Sequence, residues 1–186
     1  MSEPLWRPSA ARIAGETLTE FTDFVTGCAG YAGGGDYASL HRWSIDARER
    51  FWAALWDFAG VIASRRGDAV LEDGDRFPGA RWFPGARLNY AENLLRHGGD
   101  GTALVGLLET GPARRVSRDE LREQVRAVAA TLRDLGVGQG DRVAAFMPNV
   151  PETVIAMLAT TSIGAVWSSC SPDFGFNGVL DRFGQI

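Results

Sequence analysis

Lysine is missing from this chain: all 19 basic residues among its 186 are arginine. That excludes, within this stretch, a lysine Schiff base, the lysine of a phosphate loop and any other lysine clamp on phosphate. Histidine is nearly missing too. His41 and His97 stand alone, which leaves histidine acid–base chemistry poorly supported. The two cysteines, Cys28 and Cys170, lie far apart without metal-ligand spacing and read as reduced thiols of a cytoplasmic protein. No apolar run reaches the ~20 residues of a membrane span, and the opening MSEPLWRPSAARIAG has no apolar signal-peptide core. A net charge of -4 without a basic stripe argues against nucleic acid as a partner.

What is present is an ordinary globular composition, 45% hydrophobic and 23% charged, organised around residues 142–186. Arg142 to Met147 reads as a strand that runs into Pro148-Asn149. A helix follows, with Asn149 as its expected N-cap, Pro151 in its first turn, Glu152 on the favourable end of the dipole and Gly164 at its end. Ala165 to Cys170 reads as a second strand, followed by a polar loop and another helix start. Strand–helix–strand with short links predicts a βαβ unit with parallel strands. In such sheets ligands gather beyond the carboxyl ends of the strands. The loops there are Pro148-Asn149-Val150-Pro151 and Ser171-Pro172-Asp173-Phe174-Gly175.

The residues before this unit build toward it. Residues 1–15 read as an extended lead punctuated by Pro4 and Pro8, with Trp6 as a packing anchor. Leu18, Phe21, Phe24 and Val25 recur at helical steps from Glu16 to Cys28. The run Gly33-Gly34-Gly35 lacks phosphate-loop spacing and has no strand before it, so it reads as a turn. Asp36 is expected to cap a short helix, and Ser44 to cap a second one over Ile45 to Ile62. The stripe Phe51, Trp52, Leu55, Trp56 and Phe58 on that second helix suits burial better than an aromatic cage. Arg65-Arg66 suit the C-terminal end of its dipole. The near-repeat FPGAR at 77–81 and 83–87 predicts two Pro-Gly turns. Glu72, Asp73 and Asp75 lack the register of a calcium loop. Leu88 to His97 reads as a short helix, Thr102 to Leu108 as a strand, and Val116 as closing a hairpin with it. Ser117-x-x-Glu120 is a capping box, and helical period then runs to Gly136.

Those residues carry a resemblance. Gly136 to Thr153 (GVGQGDRVAAFMPNVPET) and Ile163 to Ser169 (IGAVWSS) resemble the adenylate-forming acyl-CoA synthetases, the AMP-dependent synthetase and ligase superfamily. The string WSSCSPDFG at 167–175, with LDRFGQI at 180–186, is similar to the acetoacetyl-CoA synthetase branch. Trp43-Ser44 and Trp82 to Asn93 resemble the N-terminal extension shared by acetyl- and acetoacetyl-CoA synthetases. The residues themselves predict an α/β fold with a parallel sheet and a helical N-terminal cap, and the resemblance makes that sheet part of an adenylate-forming domain. The chain divides as 1–98, the extension, and 99–186, the start of an AMP-binding domain.

The resemblance implies a two-step reaction with ATP, Mg2+ and coenzyme A. Acetoacetate is activated as an acyl-adenylate, then coenzyme A attacks and AMP leaves. The chemistry is activation of a poor electrophile, with cations offsetting phosphate charge. The family's lysine-bearing phosphate loop, adenine motif, ribose-holding acid and C-terminal adenylation lysine have no counterpart here. The expectation is therefore the front part of such a synthetase, whether a truncated product, an expressed fragment or a misread frame, and inactive alone. No catalytic or metal-ligating residue is assigned. Pro172 and Asp173 are the candidate cofactor-binding residues, because the matching loop flanks the pantetheine tunnel of coenzyme A in the acetyl-CoA branch. The family carries two glycines at those positions. Arg182 matches a common family arginine and is expected to make a structural salt bridge. Cys170 reads as a buried strand-end thiol, and the serines at 168, 169 and 171 lack the G-x-S-x-G elbow of a hydrolase. Two alternatives stay open. One is an acetyl- or propionyl-CoA synthetase-like ligase, the other a non-catalytic module that binds a partner through its aromatic N-terminal surface.

Overall fold

The computed structural model describes residues 5–28 and 30–186; Pro4 of the expected lead lies outside them. The chain forms two compact units, Met1–Arg87 and Leu88–Ile186. Among the described residues no helix is long and apolar enough to cross a membrane.

The first unit is helical. The lead is not extended throughout: Ser9 accepts from the Arg12 N–H and starts α1, Ala10–Ala14. Trp6 is exposed, with the Arg12 guanidinium over its ring, so it anchors no core. Helix α2 (Thr17–Cys28) buries Phe21 and Val25. Asp36 caps α3 (Tyr37–Asp46) as expected, accepting from the Ser39 N–H at 2.9 Å and its hydroxyl at 2.6 Å. Ser44 does not cap the next helix. It lies inside α3 and donates its hydroxyl to the His41 carbonyl. The break falls at Ala47, whose φ of -122° and ψ of 50° leave helical geometry without any side-chain cap. Helix α4 then runs only Arg48–Phe58.

The core of this unit joins Phe21, Val25, Tyr31, Leu40 and Ala54, with Phe51, Leu55 and Phe58 packed against it. Phe21 meets Phe51 and Phe58 edge-on at 5.7 and 5.1 Å, the arrangement that ring quadrupoles favour. Trp52 and Trp56 turn the other way, toward Trp82 and Phe83. The turn-rich segment holds a short antiparallel pair, β1 (Leu71–Glu72) with β2 (Arg81–Trp82). Each acidic residue of this segment meets an arginine: Glu72 with Arg81, Asp73 with Arg76, Asp75 with Arg48. Arg66 reaches Asp57 and the Ala53 carbonyl near the end of α4.

The second unit is α/β. Asn89 caps α5 (Tyr90–Leu95) by accepting from the Glu92 N–H. Its amide also donates to the carbonyls of Thr161 and Ser162 at 3.0 and 3.2 Å. The α5 helix, which the sequence boundary at 98/99 assigns to the extension, therefore packs within this unit, and Ala91 is fully buried in its core. Strands β3 (Thr102–Gly106) and β4 (Arg114–Ser117) pair antiparallel, the expected hairpin. Ser117 caps α6 (Arg118–Asp134), accepting from the Glu120 N–H at 3.1 Å. Gly136 takes φ +85° just past it, a left-handed position that a side chain would strain. Strand β5 (Arg142–Phe146), α7 (Pro151–Ser162) and β6 (Val166–Cys170) complete the βαβ unit, with β5 and β6 parallel. Helices α6 and α7 face each other through Leu121, Val125 and Ala129 on one side and Ile155, Leu158 and Ala159 on the other. The last helix, α8, is Gly175–Phe183.

Candidate functional site

Parallel register brings the two expected loops to one edge. Phe146 pairs with Cys170, and the Met147 N–H donates to the Cys170 carbonyl at 3.1 Å. Both chains therefore leave the sheet at the same level, β5 into 147–150 and β6 into 171–174. Each strand ends where its own sequence stops pairing: Pro148 has no N–H to offer, and Ser171 turns its side chain back onto its own loop.

The first loop is tied down locally. The Thr153 hydroxyl donates to the Pro148 carbonyl at 2.7 Å, and the Val150 N–H to the same carbonyl at 2.9 Å. Asn149 is not the N-cap. Val150 holds that place, without a side-chain hydrogen bond, because Pro151 sets the first helical φ one residue later than an Asn149 cap requires. Beside this loop lies a cavity of about 240 Å³ lined by Val105, Leu107, Asn149, Val150 and Pro151, among others. Gly106 makes the close approach possible: a methyl there would sit 3.0 Å from the Pro151 ring.

The second loop is a 3-10 turn, Pro172–Phe174. The Ser171 hydroxyl donates to Asp173 Oδ2 at 2.7 Å, and the Phe174 N–H to the Ser171 carbonyl at 3.2 Å. Pro172 and Asp173 are exposed on the rim of this edge. Gly175 leaves the turn at φ +59° and ψ -178°, a conformation essentially confined to glycine. Arg182 makes no salt bridge among the described residues. Its guanidinium lies 3.7 Å from the centre of the Phe174 ring and donates to the Gly178 carbonyl at 3.1 Å, because α8 turns it toward the loop aromatic rather than toward a carboxylate. Cys170 is buried, with its thiol near the Ser171 carbonyl.

Beside the first loop lies a charged pair that the sequence did not reveal. Arg114, at the start of β4, pairs with Glu152 in the first turn of α7. The Glu152 carboxyl is held below the usual carboxylate range, first by its own backbone N–H and then by Arg114. Glu152 was legible as a helix-start acid. Its partner was not, because only the hairpin brings β4 beside α7. Among the described residues no group of three or more His, Cys, Asp or Glu is placed to hold a metal.

Comparison with known proteins gives a consistent picture. Residues 91–180 match the family of AMP-binding enzymes, and residues 37–94 match the acetyl-coenzyme A synthetase N-terminus. An acetoacetyl-coenzyme A synthetase of Rhizobium meliloti is 50% identical over 183 residues, 98% of this chain and 28% of that protein. A malonamoyl-CoA synthetase of Penicillium aethiopicum is 38% identical over 99% of this chain and 26% of its own length. Among solved structures, the acetoacetyl-CoA synthetase from Streptomyces lividans superposes with a TM-score of 0.91 at 48% identity, covering all of this chain and 29% of that one. The chain thus spans between a quarter and a third of the length of these relatives.

Proposed function

We propose that this chain, homologous over nearly its whole length to the N-terminal part of acetoacetyl-CoA synthetases and matching the AMP-binding enzymes over residues 91–180, serves as the N-terminal part of an AMP-forming acetoacetate–CoA ligase. The observation that carries this reading is the superposition at TM-score 0.91 with 48% identity across the whole chain. The complete ligase would join ATP and acetoacetate as an acyl-adenylate, release pyrophosphate, and pass the acyl group to coenzyme A in the cytoplasm.

Within that scheme this stretch has a positioning role. The rim formed by Pro172 and Asp173 fits a neutral, amide-bearing arm. Asp173 can accept from an amide N–H while Oδ2 keeps the Ser171 hydroxyl, and Pro172 offers an apolar wall. The same rim does not fit phosphate. The Asp173 carboxylate repels it, and the Arg182 guanidinium is already turned onto Phe174 and Gly178. Pantetheine of coenzyme A is the part of the substrates assigned here. ATP and Mg2+ are assigned to no residue of this stretch.

The malonamoyl-CoA synthetase relative favours one second reading, a ligase of the same chemistry acting on another short acid. ATP–pyrophosphate exchange decides between them. The chain is assayed alone and as a product extended downstream, with Mg2+ and acetoacetate, acetate or malonamate. Exchange is expected only in the extended product and fastest with acetoacetate. Exchange by the chain alone overturns the positioning role, and a faster rate with another acid overturns the substrate. In the active product, Asp173→Ala is expected to raise KM for coenzyme A about three- to tenfold, the scale of one lost hydrogen bond, with pyrophosphate exchange unchanged.

A further inference from the structure

A second concavity of the second unit lies between α5, β3, the start of α6 and α7, and shares Leu104 and Val154 with the cavity beside the first loop. Its volume is about 320 Å³, near the lower end of the ~300–1,000 Å³ range of small-molecule pockets. Its floor is aliphatic: Leu95, Ala103, Leu104, Leu121 and Leu158 face it. His97 and Arg118 are its titratable or charged residues, Thr102 is its neutral polar one, and no carboxylate lines it.

His97 and Arg118 are placed, not merely present. His97 Nε2 accepts from Arg96 Nε at 2.9 Å, which leaves Nδ1 as the nitrogen to carry a donor proton. Arg118 opens α6, and its guanidinium lies against the backbone of Gly101, where a methyl would come within 2.8 Å of Nη1. The nearby acid Asp119 is engaged elsewhere, accepting from the Gly99 N–H at 2.9 Å. A guanidinium-bearing and an imidazole-bearing residue thus line a largely aliphatic pocket that has no acid on its wall.

We propose that this pocket binds a small amphipathic monocarboxylate, with the carboxylate on Arg118 and His97 and a short alkyl tail on the leucines. Charge complementarity selects the anion, because the guanidinium offers charge-assisted hydrogen bonds that a neutral head group cannot match. The small volume and aliphatic floor select a tail of a few carbons.

The test is a titration of the 15N-labelled chain with hexanoate, 1-hexanol and hexylammonium, followed by amide chemical shifts. Hexanoate is expected to saturate shifts at 98–104 and around Arg118 and Leu121, with hexanol at least about tenfold weaker, as loss of a charge-assisted contact implies. Arg118→Gln should weaken hexanoate to the level of hexanol. Gly101→Ala should do the same while leaving the spectrum otherwise native, because its methyl displaces only the flexible guanidinium. Equal binding of hexanol, or hexanoate shifts confined to the groove lined by Leu18, Phe21 and Phe58 in the first unit, overturns the proposal. So does full affinity in Gly101→Ala.

Discussion

At the residue scale, caps and left-handed turns set where elements begin and end. Asn89 shows how one side chain can do more than its sequence role. It caps α5 and also holds two carbonyls at the end of α7. Asn89→Ala is expected to cost about 2–3 kcal/mol, a cap plus two unmet acceptors. Asn89→Asp keeps the cap but turns a carboxylate oxygen onto those two carbonyls at the negative end of the α7 dipole, so it should cost at least as much. Ser117→Ala, which loses a cap alone, should cost about 1 kcal/mol. Urea denaturation of the three variants checks the order. Asp36 adds a pH signature. Hydrogen bonds from the Ser39 hydroxyl and N–H lower its folded pKa below the ordinary 3.8. Its contribution is therefore fully present above that value and lost as pH falls through the lower folded one. Asp36→Asn is expected to flatten the dependence of the urea midpoint on pH in that acid window and leave it unchanged near neutrality.

At the element scale, helical period was legible and helix breaks were not. The cap residues Asp36 and Ser117 and the glycine at 136 mark their ends in the residues themselves. The break at Ala47 carries no such mark, since alanine is itself the best helix former, and it is imposed by packing α3 and α4 as separate rods around Phe21 and Val25. Helices α6 and α7 share the second unit's buried core. Leu158 is 2% exposed, and Leu158→Ala should destabilise by about 2–5 kcal/mol through the cavity it leaves, read as a lower urea midpoint with an unchanged slope. Helix α8 is the opposite case. Phe176 and Leu180 stand 79% and 60% exposed on it, an apolar face of the kind that drives association. Leu180→Glu is expected to reduce concentration-dependent self-association in sedimentation velocity without lowering the unfolding midpoint.

At the scale of the whole molecule, the division matters more than any one contact. Composition places the change near Gly98-Gly99, where glycine interrupts the chain. Tertiary structure divides it at Arg87 and Leu88, because Asn89 and Ala91 are spent on α7 and the second core. A piece covering 88–186 is expected to unfold cooperatively. A piece covering 99–186 lacks α5, opens the core at Ala91 and should unfold with a broadened, lower transition. Circular dichroism against temperature on the two pieces distinguishes the boundaries.

Sequence by itself determined the βαβ unit, its parallel sense and the two loops at its edge. It also determined the caps at Asp36 and Ser117, and the family resemblance in the strings around Gly136 and Trp167. Those are local properties: periodicity, capping chemistry and motif spacing act over a few residues. Only the tertiary structure decided the partners of Arg114, Asn89 and Arg182. Each joins groups distant in the chain or sits on a surface whose direction depends on how an element packs. A side chain's type states which bond it can make, and the fold decides which neighbour is within reach.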